Sequence, residues 1–275
     1  MAIITSSKTK VLFITNELDP FLKISSVADI ARLLPEKLQQ RDYEIRVLMP
    51  RFGVINERRN RLHEVVRLSG INITIDDNDN PLIIKVASIP EAKMQVYFLD
   101  NEDYFKRKFV FKNDKEEFFT DNDERTIFFC KGALETVKKL GWAPDIIHCH
   151  GWMTSLVPLY IKTLYKDEPV YRNAKVVYSV FDNQFDEKLG VDFSRKASMN
   201  NIGKEHLEFF HDADCMKLNL GAVRYSDGLV MHDEAHPDLH KFAGKMGTPI
   251  MKHIEEESSV DGYTQFYADL ITQNN

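Results

Sequence analysis

The chain has 275 residues, 43% apolar and 28% charged, with a formal net charge of −6. That length suits one large domain or two small ones, and the acidic balance, with acids beside the densest basic runs NERRNRLHEVVR and YFKRKFVFK, argues against nucleic acid as a partner. No apolar run approaches the roughly 20 residues of a membrane span, the start MAIITSSKTK lacks a signal-peptide pattern, and three widely spaced cysteines fit a reducing compartment, so no membrane association and a cytoplasmic location are expected.

From the amino end, KVLFITNEL (10–18) is apolar and β-branched, the pattern of a strand buried on both faces. Residues 25–42 carry helical spacing at Val27, Ile30, Leu33, Leu34 and Leu38, and Ser26 with Asp29 predicts a capping-box-like start. EIRVLMP (44–50) is the next strand, stopped by Pro50. Residues 71–100 break the rhythm and predict a β-rich insertion with a turn at Asn78–Pro81. A helix over 121–141 follows, closed by Gly141.

DIIHCH (145–150), a helix from Thr154 and the strand KVVYSVF (175–181) come next. Residues 183–213 read as a variable loop with short helices. Then follow a helix over 216–226, the strand DGLVMH, a helix over 236–247, the strand PIMKHI and a last amphipathic helix over 261–272. Strands alternating with helices imply right-handed crossovers. The expected fold class is α/β, one doubly wound and mainly parallel sheet over residues 1–275. Ligands bind such sheets beyond the carboxyl ends of the strands, which gathers the loops after Glu17, Pro50, Asp100, His150, Phe181 and His232 around one crevice.

Motif chemistry excludes more than it assigns. There is no G-x-G-x-x-G and no P-loop. The loop LDPFLKISSVAD offers Lys23 to a phosphate, but Ser25 and Ser26 carry Cβ atoms where a phosphate cradle uses glycines. His148 and His150 share one face of a strand, with Cys149 on the other. They read either as buried imidazoles bonded to backbone or, for His150 with Trp152, as substrate contacts. Zinc wants at least three ligands at about 2 Å, and no neighbouring carboxylate or cysteine completes the set, so no metal is expected. HDEAHPDLH (232–240) reads as a solvated helix start, because Pro237 is tolerated only in a first turn.

Several stretches, taken together, resemble one family. KVLFITNELDPFLK, VADIARLLPEKLQQRDYEIRVLMPRFG, VYFLDNEDYFKR, DNDERTIFFCKGALETVKKLGWAPDIIHCHGWMTSLVPLYIK and YSDGLVM are similar, in the same order, to the N-terminal domain of bacterial glycogen and plant starch synthases. The resemblance implies a single Rossmann-like half of the GT-B fold, whose two domains flank a cleft. It also implies glucose transfer from ADP-glucose to an α-1,4-glucan, with retained anomeric configuration and no cofactor or metal.

Carried over residue by residue, the family's K-T-G-G-L-A-D loop becomes K-I-S-S-V-A-D, keeping Lys23 and Asp29 and replacing both glycines. Its R-P-G-x-P-Y loop becomes R-K-F-V-F-K. Its H-D-W becomes H-G-W, keeping His150 and Trp152 with Gly151 in place of the acid. Its T-I-H-N becomes S-V-F-D, with Phe181 for the histidine and Asp182 beside it. The resemblance thus implies substrate contacts at Lys23, Asp29, His150, Trp152 and Asp182. It finds no counterpart of the second GT-B domain, which supplies cations to the diphosphate. Phosphate departure needs such cations, so the isolated chain is expected not to transfer glucose. Two roles follow: a half-enzyme completed by a partner chain, or a non-catalytic module for a nucleotide sugar or α-glucan.

Overall fold

The computed structural model describes residues 8–181, 185–199, 201–233, 235–253 and 259–273. Among the described residues ten strands form in chain order: β1 (Lys10–Thr15), β2 (Glu44–Pro50), β3 (His63–Glu64), β4 (Ile71–Ile75), β5 (Asn78–Ile89), β6 (Met94–Asp100), β7 (Ile146–His150), β8 (Lys175–Val180), β9 (Gly228–Met231) and β10 (Ile250–Lys252). The sheet order is β10-β9-β8-β7-β1-β2-β6-β5-β3, with β4 pairing β5. Every pairing from β10 to β6 is parallel. Those of β5 with β6, β3 and β4 are antiparallel. The sheet is the expected mainly parallel one, with a correction at 71–100. That segment is no mere insertion, since β6 joins the parallel set beside β2 through Val47–Val96 to Pro50–Leu99.

β1 is the central strand because its side chains suit neither face to water: Val11, Leu12, Phe13 and Ile14 are fully buried. It stops at Thr15, short of the expected Leu18, where the Thr15 hydroxyl donates to the Glu17 carbonyl at 2.7 Å and turns the chain. The strand order runs one way from β1 through β2 and β6, and the other way from β7 through β8, β9 and β10. Ligands of doubly wound sheets bind at such a reversal. Here it lies at the carboxyl ends of β1 and β7.

The helices described are α1 (Val27–Gln39), α2 (Glu102–Phe105), α3 (Asn122–Leu140), α4 (Leu156–Lys162), α5 (Phe193–Ser198), α6 (Cys215–Tyr225), α7 (Pro237–Met246) and α8 (Ser259–Thr272). α3 ends at Gly141 in the left-handed conformation, φ 63°. α1 starts differently from the expected capping box. Ser26 makes no side-chain cap, the Ser25 hydroxyl accepts from the Val27 N–H at 3.2 Å, and Asp29 turns to Lys23. α8 docks through Val260, Tyr263, Tyr267 and Leu270, all buried, with Phe266 partly buried beside them. Among the described residues no helix is long and apolar enough to cross a membrane.

Candidate functional site

A crevice of about 540 Å³ opens at the reversal point. Asn16 and Glu17 reach it from the end of β1, Trp152 from the end of β7 and Phe181 from the end of β8. The far wall is the loop between α2 and α3. Phe111 and Phe118 flank its tip, where Lys112 bridges Phe118 and the Asn113 side chain accepts from the Lys115 and Glu117 N–H groups at 2.9 and 3.0 Å. Beneath this loop lies Arg125, fully buried, its guanidinium 5.4–5.5 Å from the ring centres of Phe52, Phe105 and Phe119. Loss of hydration there pulls its pKa down to about 9.

The crevice is walled by aromatic rings. Phe111 and Trp152 centre 5.0 Å apart, Trp152 and Phe185 4.8 Å, and Phe118 stacks on Phe185 at 5.0 Å. Phe109 and Phe181 complete the set. None of Phe109, Phe111, Phe118 and Phe185 was expected at the site. The R-K-F-V-F-K run, read as the loss of a family motif, supplies two of them.

The first loop is held from within. The buried Glu17 carboxylate accepts from the Ile24 N–H, the Ser25 N–H and the Ser25 hydroxyl, each at 2.7 Å. Burial raises its pKa, while these bonds pull the other way. Among the described residues of the lining Glu116 is the other acid, and the one lysine, Lys112, pairs with Glu187 at 2.7 Å. The lining therefore carries no unpaired cation among the described residues. It suits a neutral ligand with apolar faces, since rings offer dispersion and polar groups fix orientation.

Gly151 and Asn16 meet closely. Gly151 has φ 82° and ψ 156°, a region essentially reserved for glycine. A Cβ built there would lie 1.6 Å from the Asn16 side-chain oxygen. Asn16 is 1% exposed, and that oxygen has no hydrogen-bond partner among the described residues. The Asn16 amide thus fills the space that an acid at position 151 would need. A polar residue at a strand's carboxyl end is the sequence signal for Asn16.

The expected contact residues separate. Trp152 lines the crevice. His150 is fully buried beside it, its ring 6.2 Å from that of Phe181, and both its nitrogens lack partners among the described residues. Phe181 in turn stacks on His232 at 4.0 Å. Lys23 and Asp29 pair with each other at 2.6 Å, both exposed and outside the lining. Asp182 lies outside the described residues.

The histidine-rich 232–240 segment divides. His236 caps α7 by accepting from the Asp238 N–H at 3.2 Å, with Pro237 in the first turn, as expected. His232, expected in a solvated helix start, is instead 7% exposed under Phe181. His148 bonds the Tyr267 hydroxyl at 2.6 Å and the Ser179 hydroxyl at 2.8 Å. Its partners are side chains, not backbone. Burial holds His148 well below its ordinary pKa, His150 down to about 3 and His232 down to about 2. Among the described residues no three His, Cys, Asp or Glu side chains converge as metal ligands would.

Comparison with known proteins agrees with this architecture. Residues 10–236 match the family described as the starch synthase catalytic domain. A glycogen synthase of Chlorobium phaeobacteroides is 41% identical over 257 residues, 84% of this chain and 51% of that protein. One from Chlorobium luteolum is 43% identical over 176 residues, 62% of this chain and 35% of its own length. The chain thus spans about half, or less, of the curated relatives it matches. The catalytic domain of starch synthase IV from Arabidopsis thaliana, solved bound to ADP and acarbose, shares the fold at a TM-score of 0.74 and 17% identity, over 90% of this chain and 52% of that one. The chain belongs to the starch synthase catalytic domain family.

Proposed function

We propose that this chain holds a neutral α-glucan in the crevice and does not, by itself, transfer glucose from ADP-glucose. The observation that carries the reading is the charge of the lining: Glu17 and Glu116 are acids, and Lys112 is tied to Glu187. A departing diphosphate needs positive charge or free N–H groups aimed at it. The loop N–H groups of Ile24 and Ser25 already serve Glu17, and Lys23 serves Asp29. A glucan brings no charge, and its pyranose rings present C–H faces to Trp152 and the phenylalanines. Family membership supports the glucan as the ligand class, and the lining favours it over the nucleotide sugar.

Incubation of the pure chain with ADP-[14C]glucose and glycogen tests the proposal, alongside electrophoresis in a glycogen-containing gel. We expect no label in polymer and a retarded band. Label incorporated by the chain alone, and lost in Lys23→Ala, overturns the reading.

A second reading has the chain as one half of an enzyme completed by a partner chain. Membership of the starch synthase catalytic domain family is what supports it. Mixing the chain with the separately expressed remainder of that synthase tests it. Label appearing only in the mixture supports this reading, and none in either arm removes it.

A further inference from the structure

We infer that Asn16 is the hydroxyl-reading residue of the crevice, standing in space where an acid at position 151 would stand, so that the crevice takes a neutral polyhydroxylated ligand. This rests on the glucan reading above and adds the residue that recognises it. Asn16 directly follows β1 at the point where the strand order reverses, and it lines the crevice beside Glu17, Trp152 and Phe181. A buried amide with an unpartnered oxygen is costly unless something completes its hydrogen bonding, and this one is 1% exposed with no partner for Oδ1 among the described residues.

The chemistry of the partner follows from the group. An amide has one accepting and one donating end, and a hydroxyl can both donate and accept, so a sugar hydroxyl can pair with either end. An anion matches poorly, because Glu17 and Glu116 share the lining and Lys112 is engaged. The rings of Trp152 and Phe111, 5.0 Å apart, supply the apolar face on which a pyranose rests.

The geometry also makes Asn16 and Gly151 mutually exclusive with larger pairings. A Cβ at position 151 would fall 1.6 Å from the Asn16 oxygen and 2.7 Å from its amide carbon. An acid from position 151 and an amide from position 16 cannot occupy that space together. The crevice keeps one polar group there, delivered from β1 instead of β7, and that group is uncharged.

Calorimetric titration of the full chain with maltoheptaose, together with thermal melting, tests this. Asn16→Ala is expected to weaken binding about tenfold, the worth of one good hydrogen bond. Asn16→Leu fills a similar volume without a polar end and is expected to lose affinity alike, which a purely packing role for Asn16 would not produce. Gly151→Asp is expected to lower the melting temperature, and adding Asn16→Ala to it to recover part of that loss. If the wild-type chain binds maltoheptaose and Asn16→Leu binds it equally well, this inference fails while the glucan reading stands. Failure of the wild-type chain to bind overturns both. Strictly additive melting shifts for Asn16→Ala and Gly151→Asp show that the two positions do not compete for one space, and the inference fails on that ground as well.

Discussion

Gly151 shows what one residue can decide. Its φ 82° and ψ 156° strain any side chain by about 1–3 kcal/mol, and the neighbouring Asn16 oxygen adds a clash that its burial leaves little room to relieve. Gly151→Ala is therefore expected to cost about 3 kcal/mol or more, read as a lower urea midpoint with unchanged slope. A loss under about 0.5 kcal/mol would show that the loop after β7 yields freely. The H-G-W stretch reads in sequence as a family motif that has lost its acid. Its neighbour in space adds the physical reason: glycine is the residue that fits beside Asn16.

At the scale of elements, α8 is tied to the sheet by two tyrosine hydroxyls. Tyr267 bonds His148 on β7 at 2.6 Å, and Tyr263 bonds His253, just past β10, at 2.8 Å. Removing the Tyr267 hydroxyl leaves a fully buried imidazole nitrogen without its partner, a penalty of about 1–3 kcal/mol. Tyr267→Phe should thus lower stability by that amount in equilibrium denaturation while leaving maltoheptaose binding unchanged, since Tyr267 is not among the crevice residues. α8 also rests on Gly228, where a Cβ would meet Leu270 at 2.7 Å and Phe266 at 2.8 Å. Gly228→Val should loosen α8, detected as faster amide exchange over 260–272 than in the rest of the chain. The amphipathic pattern of 261–272 predicts a last helix with one apolar face, and Tyr263, Tyr267 and Leu270 lie buried on it. Its hydrogen bonds to histidines were not visible, because a helical period names a face and not what that face meets.

For the molecule as a whole, the buried histidines set the response to acid. His148, His150 and His232 are held neutral in the fold, below their ordinary pKa of 6.5. The unfolded chain then binds more protons than the folded one at any pH between the two values. Their contribution is fully present above about pH 6.5 and is lost as pH falls below it. Each group costs up to about 1.4 kcal/mol per pH unit, so three cost about 4 kcal/mol per unit. Glu17 and Asp123, whose carboxyls burial raises, act in the opposite sense, from their ordinary values of 4.5 and 3.8 upward. Urea denaturation at pH 7.5 and 5.5 should show a steep fall in stability, and His150→Leu should reduce its slope by about a third. Equal stability at the two pH values would mean that these imidazoles protonate without leaving the fold.

What the sequence by itself determined is the alternation of strands and helices and, with it, the parallel sheet and the crevice end. Those features rest on local signals: apolar runs in β1, β7 and β8, helical spacing in α1 and α3, and Gly141 as a stop. The similarity to synthases was legible for the same reason, since motifs are contiguous. Tertiary structure alone decided that β6 joins the parallel strands, that Lys23 turns to Asp29, that Phe181 lies on His232, and that Asn16 fills the space beside Gly151. Each of these depends on which chain segments meet, and periodicity within one segment carries no record of its neighbour across the sheet. The charge of the crevice belongs to the same class: Lys112 is a cation in any reading of the sequence, and only the structure shows it paired with Glu187.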